Sequence, residues 1–269
     1  MKIPKLKIGA HEVEIPIIQG GMGVGISMHS LAAAVASLGA IGIIAGACVG
    51  FLEPDFAKRP QAANKRALKK EIALARQAAP GGVIGVNIMV AMTDYEDLVK
   101  AALEAKADII FSGAGLPLTQ PKIKKDYPDS KTALVPIISS GRAASLLCKK
   151  WLHSYDYLPD AFVLEGPKAG GHLGFSLKDL VNNRYRLEQL LDEVIKAVDP
   201  YEKIAGRPIP IIVAGGVYTG QDIARFLNLG ASGVQMATRF VVTEECDASE
   251  AFKKEHIRAK KEDIVFIKS

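Results

Sequence analysis

The sequence predicts an α/β protein, one domain over residues 1–269, folded as a (β/α)₈ (TIM) barrel. Eight short Val- and Ile-rich runs recur, apolar at consecutive rather than alternate positions. That is how strands buried on both faces of a parallel sheet read. Helix-length stretches separate the runs, and each run ends in glycine or a polar residue. A barrel of eight such units typically takes about 250 residues. A long doubly wound sheet would share the alternation. The count of eight and the lack of a linker favour the closed barrel.

The predicted strands are Ile15–Gln19, Ile41–Ala45, Val83–Ile88, Asp108–Ser112, Ala133–Ile138, Ala161–Leu164, Ile209–Ala214 and Gly233–Ala237. An N-terminal segment around His11 reads as a hairpin. Helical spacing marks Ser30–Ser37, Pro60–Gln77, Asp94–Ala105, Arg142–Trp151, Leu187–Val198 and Gln221–Leu229. Thr93 suits the cap of the third of these. The stretch Leu116–Ser130 is polar and irregular. Glu262–Lys268 reads as one more short strand, after which the chain stops, so a short or truncated C-terminal extension is expected.

Composition excludes several classes. Hydrophobic residues are 49% and charged residues 23%, the balance of a globular chain. The net charge of +5 is spread over runs such as Lys65–Lys70, Lys122–Lys125 and Lys253–Lys261, with no aromatic residues inside them. They read as solvated helix faces, not a nucleic-acid surface. The most apolar stretch, Leu31–Val49, is broken by Gly39, Gly42 and Gly46 and reads as helix, turn and strand, so no membrane span is expected. Cys48, Cys148 and Cys246 lie far apart, with neither CxxC nor metal-ligand spacing. No metal is expected. The sparse cysteines and the absence of a signal-like start point to the cytoplasm.

Three glycine clusters carry the chemistry. Gly215 and Gly216 follow the seventh strand, and Gln235-Met236-Ala237-Thr238 closes the eighth. Glycines let the backbone approach a phosphate, and barrels commonly bind one there. The sixth strand ends in Glu165-Gly166-Pro167-Lys168-Ala169-Gly170-Gly171-His172. His172 stands in a glycine-rich loop at a strand end, where an acid or base reaches a substrate. The first strand ends in Gln19-Gly20-Gly21-Met22, which is not a dinucleotide fingerprint, because no acidic residue follows at the right distance. It suits close backbone approach to a ring system. Asn87 ends the third strand, and its amide suits a heterocycle edge. His11, His29, His153 and His256 read as structural or surface groups.

Together, Pro16–Met22, Gly85-Val86-Asn87, Ala169–Gly174, Ala214–Val217 and Gly233–Thr238 resemble the nitronate monooxygenase (formerly 2-nitropropane dioxygenase) family. That family also takes in flavin-type enoyl-acyl-carrier-protein reductases and some NAD(P)H:quinone reductases. The resemblance runs from Pro16 to about Ile267. It implies FMN as cofactor. Gly20, Gly21 and Met22 would lie along the isoalloxazine, Gln19 before them would also bind the cofactor, and Asn87 would bond the flavin or its ribityl chain. Glu165 stands where many relatives carry Gln. Gly170 and Gly171 would lie by the ribityl and phosphate. Gly215, Gly216, Gln235, Met236, Ala237 and Thr238 would hold the phosphate. His172 matches the family's active-site histidine, a base or an orienting group. Lys168 departs from the Glu usual there and would favour an anionic nitronate or a phosphate-bearing ligand.

The leading expectation is oxidation of alkyl nitronates with O₂ to a carbonyl compound and nitrite. The alternatives are an NAD(P)H-dependent FMN reductase of enoyl thioesters or quinones, and a flavin- or phosphate-binding barrel without catalysis. A homo-oligomer stays open. Cysteine-dependent nucleotide dehydrogenases of this shape need a thiol in the sixth-strand loop, and none is there.

Overall fold

A computed structural model of the chain describes residues 3–181 and 184–267. The chain opens with an antiparallel hairpin, β1 (Leu6–Ile8) and β2 (His11–Val13). Strand and helix then alternate: β3 (Ile17–Gln19), α1 (His29–Ser37), β4 (Ile41–Ala45), α2 (Pro60–Ala78), β5 (Val83–Met89), α3 (Tyr95–Glu104), β6 (Ile109–Gly113), α4 (Gln120–Lys125), β7 (Ala133–Ile138), α5 (Gly141–Tyr155) and β8 (Phe162–Glu165). There follow α6 (Leu177–Val181), α7 (Leu187–Ala205), β9 (Ile211–Ala214), α8 (Gly220–Asn228), β10 (Gly233–Met236), α9 (Thr238–Val241) and α10 (Glu250–Arg258). Strands β3 to β10 pair in parallel in chain order, and β10 returns to β3, which closes the barrel.

Strand parity sorts the core into two compartments. Ile41 and Ile43, Ile109 and Phe111, Val163 and Ile212 point inward and pack together. The hairpin supplies Leu6, Ile8 and Val13 to the same cluster, so it plugs the N-terminal end of the barrel. Ile44, Val86, Ile110, Leu164 and Val213 point outward and meet the helices. Both strand faces are thus apolar, which accounts for the unbroken Val/Ile runs.

Helix ends use partners distant in sequence. Met28 offers α1 no side-chain cap. Instead Asp247 accepts from the amides of Met28 (2.9 Å) and Leu31 (3.2 Å), and Glu71 of α2 accepts from His29 N at 2.9 Å. The His29 ring also meets Glu71, at 2.7 Å, so His29 is a structural group. By contrast α8 carries a local capping box of Thr219 and Asp222.

The structure corrects four expectations. The N-cap of α3 is Asp94, not Thr93, and its side chain makes no capping bond. The segment 116–130 contains a helical turn, α4, which begins where Trp151 Nε1 holds the carbonyl of Pro117 at 3.0 Å. Helix α7 does not stop at Val198 but runs on through Pro200 to a left-handed Gly206. Pro200 sits in the exposed part of the helix, where the missing backbone bond is tolerable. The terminal strand is absent: a 3₁₀ turn, Lys261–Asp263, leads into an exposed irregular segment to Ile267, and Lys268 lies outside the described residues. That segment has no partner strand among the described residues. No described helix is long and apolar enough to cross a membrane.

Candidate active site at the C-terminal rim

A cavity of about 600 Å³ opens at the C-terminal end of the barrel. Each of the eight barrel strands, or the loop after it, contributes to its wall. Eight of the lining residues are glycines: Gly20, Gly21, Gly23, Gly113, Gly170, Gly171, Gly215 and Gly216. A glycine can line a cavity only with backbone, so much of the wall is peptide. A flat or phosphate-bearing ligand can lie closely against such a surface.

Two of these glycines are required by packing. A Cβ on Gly21 would stand 2.5 Å from Asn87 Cβ. Gly215 has φ +91°, and a Cβ there would stand 2.7 Å from Ala169 N. The loops after β8 and β9 therefore touch backbone to backbone. Arg239, directly after Thr238, braces the same rim: its Nη1 donates to Tyr218 O at 3.3 Å and its guanidinium lies 4.7 Å from the Tyr218 ring centre.

Polar side chains enter from the inward-facing positions at the strand ends: Asn87 of β5, Glu165 of β8 and Gln235 of β10. Gln235 Oε1 is buried without a hydrogen-bond partner among the described residues. Burial alone pushes the Glu165 carboxyl up to about 7, with no neighbouring cation or donor to offset it. An unpaired buried amide oxygen is costly, so Gln235 Oε1 is suited to meet a bound polar ligand, and the Glu165 carboxyl lines the same cavity.

The cavity lining includes the predicted residues Gly20, Gly21, Met22, Asn87, Glu165, Lys168, Gly170, Gly171, His172, Gly215, Gly216, Gln235, Met236, Ala237 and Thr238. His172 is exposed on the loop after β8. Lys168 lies with its methylenes over Gly216, where a Cβ would be 3.0 Å from its Cδ, and its charge adds a little to the Thr219 and Tyr218 hydrogen bonds that hold the Asp222 carboxyl low. Gln19 alone among the predicted site residues falls outside the lining. β3 pairs with β4 only at Ile18↔Ile41, and Gln19 supplies the next link, its Oε1 accepting from Ile43 N at 2.9 Å. Its Nε2 donates to Ser27 Oγ at 2.9 Å. Gln19 is a strut behind the wall.

Sequence reasoning missed the far side of the mouth. Phe252 and His256 of α10 also line the cavity. They stand four residues apart in a charged helix, and nothing local marks them as site residues.

A parallel barrel with a peptide-walled cavity and polar side chains at its C-terminal rim is the architecture of a barrel enzyme. The chain belongs to the nitronate monooxygenase family, whose model matches residues 4–269. This is a family of oxidoreductases. Among curated proteins, the chain is 28% identical over 247 residues to (3aS,4S,5R,7aS)-5-hydroxy-7a-methyl-1-oxo-octahydro-1H-indene-4-carboxyl-CoA dehydrogenase of Mycobacterium tuberculosis, covering 92% of this chain and 58% of that protein. It is 36% identical over 110 residues to a probable nitronate monooxygenase of Staphylococcus aureus, covering 41% of this chain and 29% of that one. Among solved structures, FabK from Thermotoga maritima superposes with a TM-score of 0.68 at 30% identity, over 92% of this chain and 65% of that one. Nitroalkane oxidase from Streptomyces ansochromogenes superposes with a TM-score of 0.70 at 23% identity, over 90% and 70%, and shares the fold. The chain thus spans a little over half the length of the long curated match.

Proposed function

We propose that this chain is an FMN-dependent oxidoreductase that oxidises alkyl nitronates with O₂, giving a carbonyl compound and nitrite, in the cytoplasm. The observation that carries the cofactor is the unpartnered Gln235 Oε1 in a peptide-walled cavity. That atom needs an N–H or O–H donor, and a flavin offers both, on its ring edge and on its ribityl chain. The cavity volume is in the range of small-molecule and cofactor sites. Gly20, Gly21 and Met22 would take the ring, Asn87 and Glu165 its polar edge, and Gly170 and Gly171 the ribityl chain. Gly215, Gly216 and Ala237–Thr238 would take the phosphate. The bound flavin would supply the redox chemistry, and the protein the positioning and electrostatics.

The chain's own groups act on the substrate. A nitronate is an anion. Lys168, the one Lys or Arg in the cavity lining among the described residues, raises the local potential for it. His172 offers a ring N–H to a nitronate oxygen or takes a proton from the nitroalkane carbon. His172→Ala is expected to lower kcat/KM about a hundredfold, the usual scale for a positioned acid or base, with FMN retained. Turnover assays beside the visible spectrum of the purified variant check this. Loss of flavin together with activity would make His172 a structural residue of the loop.

A second reading, a reductase or dehydrogenase of enoyl thioesters or quinones using NAD(P)H, is favoured by the long match to a CoA-thioester dehydrogenase. An anaerobic visible spectrum separates the two. Bleaching by nitronate alone supports the first, and bleaching by NADH or NADPH alone supports the second. No flavin uptake after incubation with FMN overturns both.

A further inference from the structure

Helix α10 crosses to the cavity from the last part of the described chain, and its orientation is fixed at several points. Asp247 caps α1, as described above. Cys246 is buried, and its Sγ donates to Ile26 O at 3.4 Å. Ser249 caps α10 itself, accepting from Phe252 N at 3.3 Å. Lys253 is buried, with its Nζ donating to Glu244 O at 3.3 Å. The segment is therefore clamped against the first strand–helix loop, and the helix cannot turn about its axis without extracting Lys253.

With that rotation set, positions 252 and 256 share one face of the helix. The Phe252 and His256 rings stack, with centres 6.3 Å apart and planes 24° apart. The stack restricts the imidazole and presents a flat surface at the cavity mouth. Phe252 nonetheless remains 45% exposed. A large apolar ring clamped at a cavity mouth yet half uncovered leaves apolar surface for a ligand to bury.

We propose that Phe252 and His256 form the substrate-facing wall of the cavity and set specificity: Phe252 covers an apolar organic part longer than two carbons, and His256 donates a hydrogen bond to an oxygen of its polar head. This rests on the oxidoreductase reading for the identity of the head group, not for the wall. The wall lies across the mouth, and the cofactor-binding residues named above come from the barrel strands and their loops. Substitutions in the wall therefore leave FMN binding intact.

The test uses the FMN-loaded protein and binding measured by anaerobic calorimetry, with ethyl, butyl and hexyl nitronate, hexanoyl pantetheine and a benzoquinone as probes. In the native protein, affinity rises at least tenfold from ethyl to hexyl nitronate. In Phe252→Ala that increment disappears, with the Kd for FMN within twofold of native. His256→Leu, which removes the donor, weakens each nitronate by about fivefold and leaves the chain-length increment in place. If hexyl nitronate is bound but not turned over, while a thioester or quinone is, the nitronate chemistry fails and the wall stands, provided Phe252→Ala weakens that ligand tenfold. An unchanged chain-length increment in Phe252→Ala, or no binding of any probe to the native protein, overturns the wall. Should Phe252→Ala fold poorly, Phe252→Leu keeps the apolar volume and removes the stack, and loss of the His256 contribution is then the expected readout.

Discussion

Gly42→Ala is expected to destabilise the barrel by more than about 4 kcal/mol, beyond the usual range for a single methyl. Gly42 lies on the outward face of β4, under α1. A Cβ there would stand 1.8 Å from the carbonyl oxygen of Ala32 and 2.6 Å from its carbonyl carbon. Neither atom can rotate away, because both belong to helix backbone. The helix must lift, yet its N-terminus is held by Asp247 and Glu71, and its face is buried through Leu31, Ala32, Ala33, Val35 and Ala36. A domain has about 5–15 kcal/mol in hand, so such a loss leaves little folded protein at physiological temperature. Thermal melting is the check, with a fall in Tm of roughly 10 °C or more expected. Gly81→Ala is the control. Its φ is +79°, but no atom lies within 4 Å of the new Cβ, so only the backbone cost of about 1 kcal/mol applies. Equal melting of the two variants would mean that α1 slides freely on β4.

Gly42 also illustrates what a sequence can and cannot say. Gly39, Gly42 and Gly46 are visible as interruptions of an apolar stretch, and they locate the helix, turn and strand correctly. That the middle one admits a helix carbonyl depends on α1 lying across β4, which no local pattern encodes. The barrel itself was legible because each strand is apolar on both faces. The same property hid strand parity: with no alternation to read, Gln19 looked like a site residue beside Gly20. Its side chain in fact points behind the wall to Ser27 and Ile43. The glycine clusters after β3, β8 and β9 were legible because a barrel gathers its strand ends at one rim. Phe252 and His256 were not, since they reach that rim from a charged helix held by Asp247, a cap 216 residues from Leu31.

Glu165→Gln is expected to reshape the pH dependence of both stability and ligand binding. Burial pushes this carboxyl from 4.5 up to about 7. In the unfolded chain it ionises near its ordinary value. At pH below 4.5 both states hold the proton and no penalty exists. As pH rises from there, the unfolded chain sheds its proton while the folded one resists, so stability falls until the folded group also ionises near 7. A gap of that size corresponds to on the order of 3 kcal/mol, fully lost above pH 7. Glutamine carries no charge to desolvate. The FMN-free variant should therefore melt with the native protein near pH 4 and above it by about 5–10 °C at pH 8.5. Parallel curves across that range would mean that water or a cation solvates the carboxylate in solution. Binding follows from the same ionisation. Above pH 7 native Glu165 places a negative charge in the cavity, which opposes an anionic ligand, and below it the protonated acid can donate a hydrogen bond. Nitronate affinity should weaken severalfold more between pH 6 and 8 in the native protein than in Glu165→Gln. The Glu–Gln difference at this one position would then act as a pH control on which form of substrate the barrel accepts.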